Sequence, residues 1–159
     1  MRTLVAGFGN ILLGDDGFGV EVVRRLEREG KLPENTELID VGIGGFDFVL
    51  RLMDGYDRVV VVDAVRRRER PGTLHVFRPA PTDVVLETGE RLDPHFAEPA
   101  RAMIMARQMS CLPDDVTVVG CEVLSCDLGV GLSEPVEAAV REAMDRVKSL
   151  TRIFHGALS

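Results

Sequence analysis

A glycine-rich turn between an apolar strand and a helical pattern constrains the fold of this chain most strongly. The turn spans Gly7–Gly19 and follows the apolar run Thr3–Ala6. Such strand-to-helix turns place their tips at the carboxyl end of a sheet, where open α/β folds carry their functional sites. This turn also carries two adjacent carboxylates, Asp15 and Asp16. Packing does not require two acids there, so the pair predicts a site for a cation or a polar substrate.

One alternative for this turn is a dinucleotide-binding fingerprint, G-x-G-x-x-G. Gly7 and Gly9 fit that pattern, and Asp40 follows the next apolar stretch, where a ribose-binding acid would lie. Leu12, however, stands where a third glycine would permit close packing beside a pyrophosphate. Two acids in the turn would also repel phosphate. These features favour a cation over a dinucleotide, and the sequence has no Gly-Lys-Ser or Gly-Lys-Thr phosphate loop.

Strand and helix signals alternate along the chain. The β-branched run Val59–Val62 is typical of a strand that is buried on both faces of a parallel sheet. Ser133 predicts the N-cap of a last helix that opens with Glu134 and Pro135. The order predicts an α/β fold, a three-layer sandwich with a mostly parallel twisted sheet flanked by helices, in one domain over residues 1–159. The predicted strands are Leu4–Phe8, Glu37–Val41, Arg58–Val62, Thr73–Arg78 and Val116–Val123, and the other predicted helices are Val20–Arg28, Phe46–Met53 and Glu98–Met109.

Composition narrows the class of partners. With 159 residues, of which 45% are hydrophobic, the chain can bury the core of one domain. A net charge of −7 argues against a nucleic-acid partner. No stretch approaches the roughly 20 apolar residues of a membrane span, and the N-terminus lacks a signal-peptide layout, so we expect a cytoplasmic protein. The three cysteines form no C-x-x-C motif and predict free thiols: Cys111, Cys121 and Cys126.

Three side chains that can ligate a metal come from loops at one predicted edge of the sheet. Asp16 lies in the glycine-rich turn, Asp63 ends a buried strand, and His95 precedes a predicted helix. Two of them also have structural interpretations, Asp63 as a carboxylate bonded to a nearby backbone N–H and His95 as a turn residue. Together, two carboxylates and an imidazole suit a divalent transition metal and leave positions open for water or substrate. The other two histidines have no second ligand candidate nearby: His75 and His155.

Four motifs, in this order, make the sequence resemble the hydrogenase maturation proteases. These endopeptidases trim the C-terminus of the [NiFe]-hydrogenase large subunit. The opening signature of the family, G-x-G-N-x-L-x-x-D-[DE]-G-x-G, is matched from Gly7 through Gly19. The resemblance covers nearly the whole chain. The remaining motifs are Asp63-Ala64 followed by Pro71-Gly72-Thr73, then Pro94-His95, then Val118-Val119-Gly120 leading to Gly131-Leu132-Ser133.

The resemblance implies a catalytic and metal-binding role for Asp16, Asp63 and His95, which correspond to the residues thought to engage nickel in the precursor. The partner would be the [NiFe]-hydrogenase large-subunit precursor. That precursor would supply the nickel, held mainly by its own cysteines, and the protease would need no organic cofactor. Cleavage would then depend on nickel loading. A nickel-checking or carrier protein without proteolytic activity would need the same three ligands, and it remains an alternative.

Three further expectations concern neighbours of these residues. Asp15 is expected to stabilise the start of its helix. Val41 and Ile43 replace a glycine and a threonine that are common in the family, in a loop expected to hold the substrate tail. The arginines that follow Asp63 form either a solvated turn or a basic patch that steers the precursor. They are Arg66, Arg67, Arg68 and Arg70.

Overall fold

A computed structural model describes residues 1–79 and 97–152. Within these residues the chain forms one five-stranded sheet and four α-helices, with a 3-10 turn at Gly14–Gly17 before the first helix. The strands are β1 (Thr3–Phe8), β2 (Thr36–Gly42), β3 (Arg58–Val65), β4 (Leu74–Phe77) and β5 (Asp115–Glu122). The helices are α1 (Phe18–Glu29), α2 (Phe46–Leu52), α3 (Ala97–Gln108) and α4 (Glu134–Thr151).

The strands lie in the order β2-β1-β3-β5-β4. The first four are mutually parallel, and β4 runs antiparallel to β5 at the edge. From β1 the chain crosses to one side to form β2, and then to the other side to form β3. The carboxyl ends of β1 and β3 therefore flank a topological switch point, where open α/β sheets form their ligand-binding crevice.

Helices cover both faces of the sheet, which confirms the predicted α/β sandwich. Alternate residues of β3 point to opposite faces, as the period of a strand requires. Val59 and Val61 pack with α2 and α3, whereas Val60, Val62 and Ala64 pack with α1 and α4. Every residue of β3 is buried, as the β-branched run predicted.

The bounds of the elements differ from the predicted ones mainly at β3. This strand continues three residues past Val62, because β5 pairs with it as far as Val65 and Glu122. The irregular stretch Ala80–Asp93 and the candidate ligand His95 lie outside the described residues. The single domain over residues 1–159 stays a prediction. Among the helices of the described ranges, none is long and apolar enough to cross a membrane.

Candidate functional site

Glycines bring the acidic turn close to the carboxyl ends of β1 and β3. A Cβ atom on Gly9, whose φ is 128°, would lie 1.9 Å from the carbonyl oxygen of Asp16. A Cβ atom on Gly19 would lie 2.1 Å from the carbonyl oxygen of Val62. Neither position has room for a larger residue. The turn that carries Asp16 therefore packs over the end of β1, and the start of α1 packs beside the residue that precedes Asp63.

Asp16 is partly exposed at the tip of the 3-10 turn. Its Oδ2 atom accepts a hydrogen bond of 2.8 Å from the backbone N–H of Asn10. The Asn10 side chain in turn accepts one from the N–H of Leu12, at 2.9 Å. These two bonds fix the direction of the Asp16 carboxylate. An oriented, partly exposed carboxylate at a crevice can bind a cation or accept a proton.

Asp63 lies inside β3, opposite Gly120 of β5, and is 1% exposed. Its Oδ1 atom accepts a hydrogen bond of 2.8 Å from the backbone N–H of Ala64. This is the structural role that the sequence had left open for Asp63. By the alternation along β3 it belongs to the face of Val59 and Val61, which α2 and α3 cover. A carboxylate buried this deeply needs a charged or hydrogen-bonding environment to stay ionised.

Asp16 and Asp63 thus lie at the carboxyl edge, one after β1 and one on β3. The third candidate, His95, is two residues before the first residue of α3. That helix packs on the same face as Asp63, and a Cβ atom on Gly45, in the turn after β2, would lie 2.8 Å from Ala102 of α3. In residues 1–79 and 97–152, no group of three or more His, Cys, Asp or Glu side chains could hold a metal ion.

Asp15 has a role that the sequence did not indicate. Its carboxylate is fully buried and accepts four hydrogen bonds from the connection between β5 and α4. Oδ2 accepts from the N–H groups of Leu124 and Ser125, at 2.8 and 3.0 Å, and from the Ser133 hydroxyl at 2.8 Å. Oδ1 accepts from the N–H of Ser133 at 2.7 Å. Burial alone would raise the pKa of Asp15, but the bonds from Ser133, Ser125 and Leu124 outweigh it and lower the pKa.

The expectation that Asp15 stabilises the start of its own helix therefore needs correction. Ser133 is the N-cap residue of α4, as predicted, but its side chain makes no cap bond and donates to Asp15 instead. Two backbone bonds reinforce this link, from Gly14 N–H to the Gly129 carbonyl and from Gly129 N–H to the Leu12 carbonyl, each 2.8 Å. The acidic turn and the β5–α4 connection thus form one unit, because Asp15 joins them from inside.

The three cysteines are free thiols. Cys121 is buried in β5, and this burial, with the nearby Asp15 carboxylate, raises its pKa to about 12, so the thiol is inert. Cys126 lies beside the acidic turn. Burial and then the Asp16 carboxylate raise the pKa of Cys126, while the Arg66 guanidinium lowers it. The backbone on either side of Cys126 packs against the acidic turn, since a Cβ atom on Gly14 would lie 2.9 Å from the Ser125 carbonyl oxygen and 3.4 Å from that of Asp127.

A cleft of about 290 Å³ adjoins the Asp16 turn, between the turn after β1 and the turn after β2. Ile43 lines it and is 67% exposed, whereas Val41 is buried in the core beneath α2. Asp40, the ribose-type acid of the dinucleotide interpretation, lines the cleft as an ion pair with Arg24, at 3.1 Å. The cleft is lined by Gly9, Asn10, Ile11, Leu12, Val20, Arg24, Asp40, Gly42 and Ile43.

Sequence and structure comparisons show which known proteins this chain resembles. Residues 20–150 match the family model described as HycI, hydrogenase maturation protease. The hydrogenase 2 maturation protease of Escherichia coli K12 is 32% identical over 153 residues, which cover 96% of this chain and 92% of that protein. The coenzyme F420 hydrogenase subunit delta of Methanothermobacter thermautotrophicus is 34% identical, with 91% and 90% covered. The solved structure of the hydrogenase maturating endopeptidase HybD from E. coli superposes with a TM-score of 0.79 at 31% identity, with 96% and 93% covered.

Proposed function

Because this chain belongs to the hydrogenase maturation protease family, we propose that it removes the C-terminal extension of a nickel-loaded [NiFe]-hydrogenase large-subunit precursor. The family consists of proteolytic enzymes, and the chain is accordingly a hydrolase. The position of Asp16 and Asp63 carries the more specific proposal. Asp16 lies in the turn after β1 and Asp63 lies in β3, and these two strands flank the switch point, where such a sheet receives its ligand.

In this proposal nickel arrives with the substrate, held mainly by cysteines of the precursor. Asp16, Asp63 and His95 would complete its coordination from one side, since carboxylates and imidazole are common ligands of divalent metals. The protease would thereby sense whether the precursor carries metal. An empty precursor would lack the contact that aligns its scissile bond, so cleavage would follow nickel insertion.

The chemistry that these residues support is addition of water to the scissile carbonyl carbon. Bound nickel would polarise that carbonyl. Asp16 is the better candidate for general base, because it is partly exposed and oriented by Asn10 while Asp63 is buried. Asp16 would accept a proton from the water and return it to the leaving nitrogen. The C–N bond breaks to give a carboxylate on the mature subunit and an amine on the released peptide.

The cleft beside the Asp16 turn is the place that we propose for the extension. Val41 and Ile43, near the end of β2, are the two residues that differ from those common in the family. Ile43 is exposed and lines the cleft, whereas Val41 faces the core. Ile43 would therefore contact the tail directly and set its preference. Val41 would act through the packing of α2.

A cleavage assay tests the proposed function. The precursor is incubated with the protein, with and without nickel, and the released C-terminal peptide is measured by mass spectrometry. We expect release only from the nickel-loaded precursor. Asp16→Ala, Asp63→Ala and His95→Ala should each reduce the rate by about 100-fold or more. Asp114→Ala, an exposed carboxylate just before β5 at the amino edge, is the matched control and should cleave at the parent rate.

The same assay addresses the nickel-checking or carrier alternative. A protein of that class would bind the nickel-loaded precursor and release no peptide. Native cleavage by His95→Ala would remove this histidine from the proposed site. Binding without cleavage by the parent protein would contradict the protease proposal as a whole.

A further inference from the structure

The turn between β3 and β4 carries a concentrated positive charge at the carboxyl edge. Residues Arg66–Arg70 comprise four arginines and Glu69, and all five are exposed. The turn leaves β3 only three residues after Asp63. Because β3 runs parallel to β1, the turn leaves the sheet at the same carboxyl edge that carries Asp16 and Asp63.

The turn is held in one shape by hydrogen bonds on both sides. Glu122 of β5 is 2% exposed, and its Oε1 accepts a hydrogen bond of 2.6 Å from the Arg67 N–H. The same oxygen lies 3.2 Å from Nε2 of His75. On the other side, the N–H and hydroxyl of Thr73 both donate to the carbonyl of Arg70, at 3.0 and 2.6 Å. Arg68 adopts a φ of 62° between these anchors. The guanidinium groups are thus displayed from a fixed backbone, which lowers the entropy cost of binding a partner.

Two arginines of this turn, Arg68 and Arg70, are not neutralised as other arginines are. Acidic residues outnumber basic ones, 26 to 19, so carboxylates are plentiful. In the described ranges, however, no carboxylate pairs with Arg68 or Arg70, and the Arg67 guanidinium lies 4.0 Å above the Phe77 ring. Nine arginines elsewhere have a carboxylate within ion-pair distance: Arg2, Arg24, Arg25, Arg28, Arg58, Arg78, Arg101, Arg141 and Arg146.

We infer that the Arg66–Arg70 turn binds the anionic C-terminal extension of the precursor as it enters the site. The inference rests on the proposed function and adds a recognition element to it. A C-terminal extension ends in an α-carboxylate, so its tip carries at least one negative charge. The guanidinium groups of Arg68 and Arg70, which no described carboxylate neutralises, complement that charge. An exposed patch of this kind acts mainly on the association rate, and salt screens it.

A charge exchange between protein and substrate tests this inference. Two nickel-loaded precursors are prepared, one with two aspartates and one with two lysines appended to the extension. The association rate constant is measured by interferometry, and the cleavage rate is measured in parallel. At roughly 20 mM salt the parent protein should associate with the aspartate-tailed precursor about tenfold faster. Arg68→Glu with Arg70→Glu should reverse this preference, and both preferences should shrink at roughly 500 mM salt.

The matched control is Arg107→Glu with Arg152→Glu. These arginines are also exposed, and they lie at the ends of α3 and α4, near the amino edge of the sheet. The net charge changes by the same amount, so the control should keep the parent preference. Equal association of the two precursors with the parent protein, or a reversal in the control, would overturn the inference. A charge preference in association without any cleavage would support binding of the extension by the turn and would refute the proposed protease function.

Discussion

Two adjacent aspartates in one turn have different roles in this protein. Asp15 points inward and binds a connection more than 100 residues away, whereas Asp16 is partly exposed at the crevice. The sequence identified the pair as unusual and assigned the chemistry to Asp16. It could not assign the role of Asp15, because the partners Leu124, Ser125 and Ser133 are brought near it only by the tertiary fold.

Replacing the two acids one at a time should show that Asp15 contributes mainly to stability, whereas Asp16 does not. Asp15→Asn keeps the size of the side chain but turns one acceptor into a donor that faces N–H and O–H groups. We expect the free energy of unfolding to fall by about 2–4 kcal/mol, measured by urea denaturation. Asp16→Asn should change it by less than about 1 kcal/mol, because Asp16 is partly exposed and its bond from the Asn10 N–H lies near the surface. Similar losses for both variants would contradict the separate roles.

The depressed pKa of Asp15 also predicts a pH dependence. Its pKa in the folded protein lies below the ordinary value of 3.8. Asp15 therefore contributes its full stabilisation above that value, and the contribution is lost as the pH falls through it toward the folded-state pKa. Urea unfolding at pH 7, 5, 4 and 3 should show the parent and Asp15→Asn converging at the acid end. Glu29 and Glu37 also have lowered pKa values, mainly through bonds from Lys148 and Tyr56, so both proteins should keep some acid sensitivity. If the difference in the free energy of unfolding between the parent and Asp15→Asn stays constant from pH 7 to pH 3, the lowered pKa of Asp15 is contradicted.

At the scale of elements, the sequence predicted strands and helices best where burial is continuous. The run Val59–Val62 predicted a strand that is buried on both faces, as the structure confirms. Only the predicted end of this strand was wrong. Pairing with β5 carries β3 to Val65, and a partner strand cannot be seen in local sequence. The 3-10 turn at Gly14–Gly17 was missed for a related reason. Its conformation depends on backbone bonds to Gly129 and Ser125, which lie far along the chain.

The junction of α1 with the sheet should be the least tolerant of added volume. In Gly19→Ala the new Cβ would lie 2.1 Å from the Val62 carbonyl oxygen and 2.6 Å from that of Phe8, both backbone atoms. Since neither can move without disturbing β1 or β3, we expect a loss of about 3 kcal/mol or more in the free energy of unfolding. Gly30→Ala is the control. It has a φ of 66° but open space around it, and should cost only about 1 kcal/mol. Chemical denaturation of the two variants measures the difference.

At the scale of the whole molecule, one edge of the sheet collects features of very different chemistry. The parallel order of β2, β1, β3 and β5 brings four carboxyl ends together. This is why sequence reasoning could place Asp16 and Asp63 at a common edge without coordinates. It could not show that the basic turn is anchored on Glu122, because β4 and β5 pair only in the folded sheet. Sequence reasoning also could not distinguish the roles of Val41 and Ile43, because only the folded structure shows that Val41 is buried and Ile43 is exposed.

The shared edge leads to a prediction about metal in the isolated protein. If nickel is cargo of the precursor, this chain supplies only two carboxylates and one imidazole, Asp16, Asp63 and His95. Such a set without thiolates binds a divalent ion modestly until the cysteines of the precursor join it. We therefore expect the protein, expressed in nickel-supplemented medium and purified without chelator, to retain less than about 0.1 nickel or zinc per chain by mass spectrometry. The Asp16→Ala, Asp63→Ala double variant gives the background from adventitious binding. One tightly held metal per chain in the parent, and none in the double variant, would instead identify a metallopeptidase with its own metal, and the proposal that nickel comes only from the substrate would fall.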